Sequence, residues 1–321
     1  MPKNKIKKDY NNINNSDNPG NNGNPGNNGK NRVNPIQWFP GHMAKTRRVI
    51  SESLPQVDIV LELLDARAVL SSQNPEIKKI TDKFNRPVLT LMNKSDLADN
   101  KINQKWVEYY KKNGEYILPI DCKSGAAINN MSAKIKEILT EKTERYKAKG
   151  MSGRRLRAMI VGIPNVGKSS LLNKICKDAK AKVEDRPGVT LRKQWVSSDI
   201  GIDLLDMPGV LWPKFESETV GLNLAFIGSI KDDILDTAET AVKLCGFLRQ
   251  KYPEEFAARF KLDMADIKSD EYNDYMVFIQ IGKNRGYMLP GGEIDEERCA
   301  KTILTEFRGA KIGRISLEEP G

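Results

Sequence analysis

Cysteine is sparse in this sequence and histidine nearly absent. Its 321 residues hold one histidine and four cysteines, and Cys122, Cys176, Cys245 and Cys299 stand far apart with no CxxC pair. That spacing argues against a zinc site and against a disulfide framework, and it suits a reducing cytoplasm. No apolar run approaches the roughly 20 residues needed to cross a bilayer, so no membrane partner is expected. The first residues include lysines without an apolar segment behind them, and a secretory signal is not expected there.

Positive charge is what the chain has in excess. The net charge is +10, and residues 1–50 carry nine Lys or Arg against two Asp. The stretch from Lys134 to Arg157 is also basic. From Lys214 onward the chain is net acidic, apart from a patch at Arg298, Lys301, Arg308, Lys311 and Arg314. Such patches suit a polyanionic partner, although charge alone equally suits plain solubility. Residues 1–34, rich in Asn, Gly, Pro and Lys with NPG and NNG units, cannot bury a core and are expected to be disordered. They read either as a nucleic-acid-binding arm or as a neutral extension.

From Pro35 the composition is globular. Strands are expected at 57–65, 87–92, 116–120, 156–161 and 202–205, and helices at 101–112, 128–149, 236–251 and 296–307. Alternating strands and helices imply an α/β fold with a mostly parallel sheet covered on both faces. Beyond Phe215 the pattern is helical, which places a boundary near 213–220. The expected organisation is an arm over 1–34, an α/β domain over 35–215 and a helical domain over 216–321.

Gly162-Ile163-Pro164-Asn165-Val166-Gly167-Lys168-Ser169 follows an apolar strand and opens a helix, the context that GxxxxGK[ST] requires. Its backbone amides converge on phosphate oxygens at a helix N-terminus, so Asn165, Val166, Gly167, Lys168, Ser169 and Ser170 are candidate phosphate ligands. Lys168 supplies a cation for the β- and γ-phosphates, and Ser169 a hydroxyl for Mg²⁺. Asp206-Met207-Pro208-Gly209 ends another strand and fits DxxG, with Asp206 in the Mg²⁺ shell and the Gly209 amide at the γ-phosphate. Thr190, in Pro187-Gly188-Val189-Thr190, occupies the first-switch position and is a third Mg²⁺ candidate.

Asn93-Lys94-Ser95-Asp96 matches NKxD at a strand end. An ionised Asp96 accepts from both the N1–H and the 2-amino group of guanine. Adenine would leave a buried Asp96 unpaired, so GTP and GDP are expected rather than ATP. Lys94 can lie across the base while Asn93 braces the loop. Ser124, in Cys122-Lys123-Ser124-Gly125, belongs to a second base-contacting loop with backbone amides toward guanine O6. Ordinary small GTPases carry the P-loop first and NKxD last. Here NKSD and CKSG precede the P-loop, PGVT and DMPG, as in a circular permutation, which a compact domain with neighbouring ends tolerates.

With WFPGHMAK at 38–45, LDAR at 64–67, DRPGVT at 185–190, DMPGVLWPKF at 206–215 and GRISLE near the C-terminus, the sequence from Ile36 resembles the circularly permuted GTPases of the bacterial ribosome biogenesis GTPase A family. The resemblance implies a P-loop GTPase domain followed by a small helical domain. It implies action in late assembly of the large ribosomal subunit, hydrolysis stimulated by the ribosomal particle, and contact with its rRNA rather than DNA.

Val210 stands where Ras-type enzymes place the water-orienting Gln, so a substitute group is expected. The resemblance implies that this group is His42, the single histidine; the alternative is a surface or RNA-contacting residue. Asn165 would either bind K⁺ beside the phosphates, as in other GTPases with Asn at this position, or merely shape the loop. Leu211–Phe215 would carry switch motion into the helical domain. The activity expected is GTP hydrolysis. The other reading is a GTP-gated RNA-binding placeholder in which hydrolysis is incidental.

Overall fold

The computed structural model describes residues 41–176, 194–209, 211, 215 and 217–321, and for 41–46 and 194 the backbone alone. The arm expected over 1–34 lies outside the described residues. Residues 36–321 form one compact unit.

Six strands make one sheet: β1 (Ile59–Asp65), β2 (Val88–Asn93), β3 (Tyr116–Pro119), β4 (Leu156–Gly162), β5 (Gln194–Ser197) and β6 (Ile202–Asp206). Their order is β3-β2-β1-β4-β6-β5. All pairs are parallel except β5 with β6. Around them lie α1 (Gly41–Ser53), α2 (Val69–Ser72), α3 (Pro75–Lys83), α4 (Asn100–Lys112), α5 (Ile128–Ile138), α6 (Thr140–Ala148) and α7 (Lys168–Ile175). This is the mixed α/β architecture expected of the amino-terminal half.

Burial on both faces explains why β1 reads as an apolar run, broken by Glu62 before its closing Asp65; every one of its residues is buried. Val60, Met159 and Leu205 stand in adjacent register and pack with Ile50 of α1 and with Ile77 and Ile80 of α3. Further along the same face, Leu64 and Met92 pair and pack with Trp106 and Tyr110 of α4. Ile59, Leu61 and Leu63 alternate onto the opposite face and are fully buried there. Glu62 interrupts this pattern. Its carboxyl is buried, one oxygen has no hydrogen-bond partner among the described residues, and burial pushes its pKa up to about 7.

Two local features depart from expectation. The helix expected over 128–149 is two helices, α5 and α6, meeting at Leu139. The Thr140 hydroxyl donates to the carbonyls of Lys136 and Glu137 at 3.1 and 2.8 Å, and such side-chain bonds compete with the helical ladder. The antiparallel edge strand β5 was not expected, because four residues with two apolar side chains give little period-two signal. The segment around His42 opens α1.

The second half is helical: α8 (Glu218–Phe226), α9 (Thr237–Lys251), α10 (Pro253–Phe260), α11 (Met264–Lys268), α12 (Asp274–Asn284) and α13 (Glu296–Arg308). Polar residues start these helices: the side chains of Ser217, Asp236 and Asp295 accept the N–H groups of Val220, Glu239 and Arg298. Packed against α9 are α8, α10, α12 and α13. Among the described residues no strand follows β6, and no helix is long and apolar enough to cross a membrane.

Candidate nucleotide site

The parallel strands end on one edge of the sheet, where open α/β folds bind ligands. Asp65 ends β1, Asn93 ends β2, Asp121 follows β3, Gly162 ends β4 and Asp206 ends β6. Because β4 lies beside β1, and β1 beside β2, the base and phosphate motifs become neighbours despite their reversed order in the chain. Asn93 joins them directly. Its side-chain amide donates to the Val166 carbonyl at 2.7 Å and accepts from the Cys122 N–H at 3.0 Å, tying three loops together.

The turn from β4 into α7 needs its glycines. Gly162 has φ +153°, and a Cβ there would lie 2.6 Å from the Leu63 carbonyl oxygen. Gly167 has φ +109°, and a Cβ there would overlap the Asn93 amide. Lys168 is buried and donates to the carbonyls of Gly162 and Ile163 at 3.0 and 2.8 Å. Burial pushes its pKa down to about 8, against the opposing charge of Asp206. Ser169 and Ser170 sit half-buried in the first turn of α7. Gly209 lies against this loop, since a Cβ there would stand 2.9 Å from the Lys168 ammonium and 3.1 Å from Pro164.

Asp206 is buried, and burial raises its pKa to about 6 while Lys168 and the Met207 amide oppose the rise. Its Oδ1 has no hydrogen-bond partner among the described residues. An orphaned buried carboxylate oxygen is costly unless a ligand completes it. A hard cation shared with the half-buried Ser169 would do so, and Mg²⁺ fits that donor set.

At the base loop the arrangement corrects one expectation. Asp96 is exposed, not buried. Any discrimination against adenine through Asp96 would therefore rely on burial by the bound base itself. Lys94, at φ +58°, donates to Asp65 Oδ2 and to the Asn165 carbonyl, both at 2.9 Å. In the loop carrying Ser124, the Asp121 carboxylate accepts the N–H groups of Lys123 and Ser124 at 2.7 and 3.1 Å. Partial burial pushes the Asp121 pKa up, but these bonds and the Ser124 hydroxyl outweigh it and leave the carboxyl below its ordinary value. The Lys123 and Ser124 amides thus have an intramolecular acceptor, so contact with guanine O6 would be shared with, or exchanged for, Asp121.

Two residues without an assigned role prove central. Asp65 and Arg67, within LDAR, form a buried two-pronged ion pair at 2.9 and 2.8 Å. Burial opposes ionisation of Asp65, yet the charges of Arg67 and Lys94 hold its carboxyl well below the usual range. Arg67 also donates to the Arg308 carbonyl at 3.1 Å and lies over the Phe307 ring. The sequence signal was an acid and a base two residues apart at a strand end.

The helical region touches the phosphate loop as well. The Asn165 amide donates to the Gly228 carbonyl at 2.8 Å, and the Ser229 hydroxyl to the Pro164 carbonyl at 3.1 Å. These contacts revise the basic patch read at 298–314. Arg308 is engaged by Asp232 and by the carbonyls of Ala225 and Phe226, and Arg314 by the carbonyls of Ser95 and Ala98. Those guanidinium groups hold the fold together, which leaves less of the patch to an outside polyanion.

Thr190 and Val210 lie outside the described residues, as do Trp212, Pro213 and Lys214 of the expected switch connection. The backbone of His42 lies in the first turn of α1; its side chain is outside the described set.

A parallel sheet whose P-loop lysine, DxxG aspartate and NKxD loop meet at the strand ends defines a GTPase. A family model described as a 50S ribosome-binding GTPase matches residues 157–266. Ribosome biogenesis GTPase A from Priestia megaterium is 46% identical over 286 residues, covering 89% of this chain and 97% of that one. The Bacillus cereus protein of the same name is 44% identical over 285 residues, covering 89% and 94%. The crystal structure of GNP-bound YlqF from Thermotoga maritima is 28% identical with TM-score 0.56, covering 86% of this chain and 98% of that chain. The GDP-bound form of that protein gives 27% and 0.57. The chain belongs to the ribosome biogenesis GTPase A family and is a GTPase of ribosome assembly.

Proposed function

We propose that the chain binds the assembling large ribosomal subunit in the cytoplasm and hydrolyses GTP during late maturation, with turnover stimulated by the ribosomal particle and its rRNA as partner. In this reading the 35–215 region holds the nucleotide and the 216–321 region the particle. GTP sets the ribosome-binding arrangement, and hydrolysis releases it. The observation that carries the proposal is the bonding of the helical region to the phosphate loop, through Asn165 to Gly228 and Ser229 to Pro164. A change at the phosphates has a direct route to the particle-binding side, without relying on the 211–215 connection.

Asn93, Lys94, Asp96 and the Ser124 loop would hold guanine, and Asn165 to Ser170 with Gly209 the phosphates. Lys168 would turn from the Gly162 and Ile163 carbonyls to the β- and γ-phosphates. Ser169 and Asp206, with Thr190, would hold Mg²⁺, which neutralises charge on the phosphate oxygens. With no glutamine after DMPG, His42 would orient or deprotonate the attacking water. K⁺ at Asn165 would add positive charge beside the phosphates. Replacing K⁺ with Na⁺ should then slow stimulated turnover, and an unchanged rate rejects that site.

The deciding experiment compares GTP turnover with and without large ribosomal subunits, for the wild type and His42→Ala. Strong stimulation that is lost in the variant is expected. Absence of stimulation in the wild type sinks the proposal.

A further inference from the structure

Asp96 sits on a loop whose backbone is held on both sides by the end of the chain. The Arg314 guanidinium donates to the Ala98 carbonyl and to the Ser95 carbonyl, each at 2.9 Å. The Ile315 N–H donates to the Leu97 carbonyl at 3.2 Å, and the Asp99 N–H to the Ser316 hydroxyl at 3.1 Å. Three of the four peptide units from Ser95 to Asp99 thus have a partner in residues 314–316.

The strap is itself anchored. Ile315 and Ser316 are buried. The Tyr252 hydroxyl donates to the Ser316 carbonyl at 3.0 Å and accepts its N–H at 3.1 Å. The Leu317 N–H donates to the Arg67 carbonyl at 2.6 Å. The Glu318 carboxylate accepts the N–H groups of Leu70 and Ser71 at 2.8 and 3.1 Å and the Asn223 amide at 3.0 Å. Tyr252 and Asn223 belong to the helical region, so the strap fastens the base loop to that region.

We propose that Arg314–Glu318 is a positioning strap for the guanine-specificity loop, with Arg314 as the positioning residue that fixes where the Asp96 carboxylate stands. The inference rests on the reading that Asp96 accepts the guanine N1–H and 2-amino hydrogens. Two acceptor oxygens recognise two donors only when the loop is held to within a fraction of an ångström. Arg314 contributes that order from outside the site, without touching the base. Any partner that shifts the helical region would slacken the strap and speed release of the base.

The test uses the full chain as wild type, Arg314→Ala, Arg314→Lys and Asp96→Asn. Binding of GDP, of IDP (which lacks the 2-amino group) and of Mg²⁺–tripolyphosphate is measured, with GDP release rates. Arg314 is exposed, so its variants should fold, which thermal melting checks. Arg314→Ala should weaken GDP about tenfold, the effect of about 1.4 kcal/mol, chiefly through faster release. The GDP-to-IDP ratio should shrink toward one while tripolyphosphate binding holds, and Arg314→Lys should recover part of the loss. Equal weakening of all three ligands would mean a merely structural role and overturns the proposal, as does no weakening at all. If Asp96→Asn binds GDP no worse than wild type, the base-loop reading fails and takes the strap's role with it.

Discussion

Nucleotide binding should move protons at Lys168. Burial holds its ammonium down to about 8, against an ordinary value of 10.5. Nucleotide phosphates beside Nζ favour the charged form, so binding should return Lys168 to full protonation. At pH 8 the ammonium in the free chain is half-protonated, and binding should take up about half a proton. The gap between 10.5 and about 8 corresponds to at most about 3.4 kcal/mol, which the phosphates recover as they replace the Gly162 and Ile163 carbonyls. Asp206 is ionised at this pH, its carboxyl titrating near 6, and adds almost nothing. Calorimetric titration with Mg²⁺–GDP at pH 8, in two buffers of different ionisation enthalpy, reads the uptake as a difference in observed heat. Affinity should also fall as pH rises from 7.5 to 8.5. Heats independent of buffer together with a flat affinity would refute both the depressed ammonium and its transfer to phosphate.

Two predictions concern stability. Arg67→Met removes one partner of a buried ion pair and leaves the Asp65 carboxylate with Lys94 alone, so it should cost about 3–5 kcal/mol in urea denaturation; a loss under about 1 kcal/mol would show that the pair is not isolated from water. Glu62→Gln tests the buried carboxyl of β1. Its folded value is raised to about 7 from 4.5, so the folded chain holds the proton longer than the unfolded one and wild-type stability falls between about pH 4.5 and 7. Relative to the Gln variant that fall should reach about 3 kcal/mol and then level off, and a pH-independent difference between the two would refute it.

Much of the candidate site was legible because each motif is local. Gly162–Ser169 carries its own turn, and Asn93–Asp96 needs only a strand before it. The parallel strands were legible for the same reason, as apolar runs, largely buried in β1, β2, β4 and β6. β5 was not, since its stability comes from pairing with β6 and not from its own four residues. The α5–α6 break was missed because Thr140, the first residue of α6, bonding back to α5 carbonyls leaves no mark on hydrophobic period. The exposure of Asp96 was misjudged because the NKxD pattern sets residue types and not burial.

The sequence by itself determined the motifs: a phosphate-loop pattern, an NKxD pattern, and one histidine upstream of both. Only the tertiary structure decided how these parts are held. Asp65 and Arg67 are ordinary charged residues until burial forces them to pair. Arg308 and Arg314 read as free surface cations until the chain folds back and backbone carbonyls, with Asp232 at Arg308, claim them. The Arg67–Arg308 and Arg314–Ala98 contacts join residues more than 200 positions apart, and no local pattern records which carbonyl will lack a partner when the core closes.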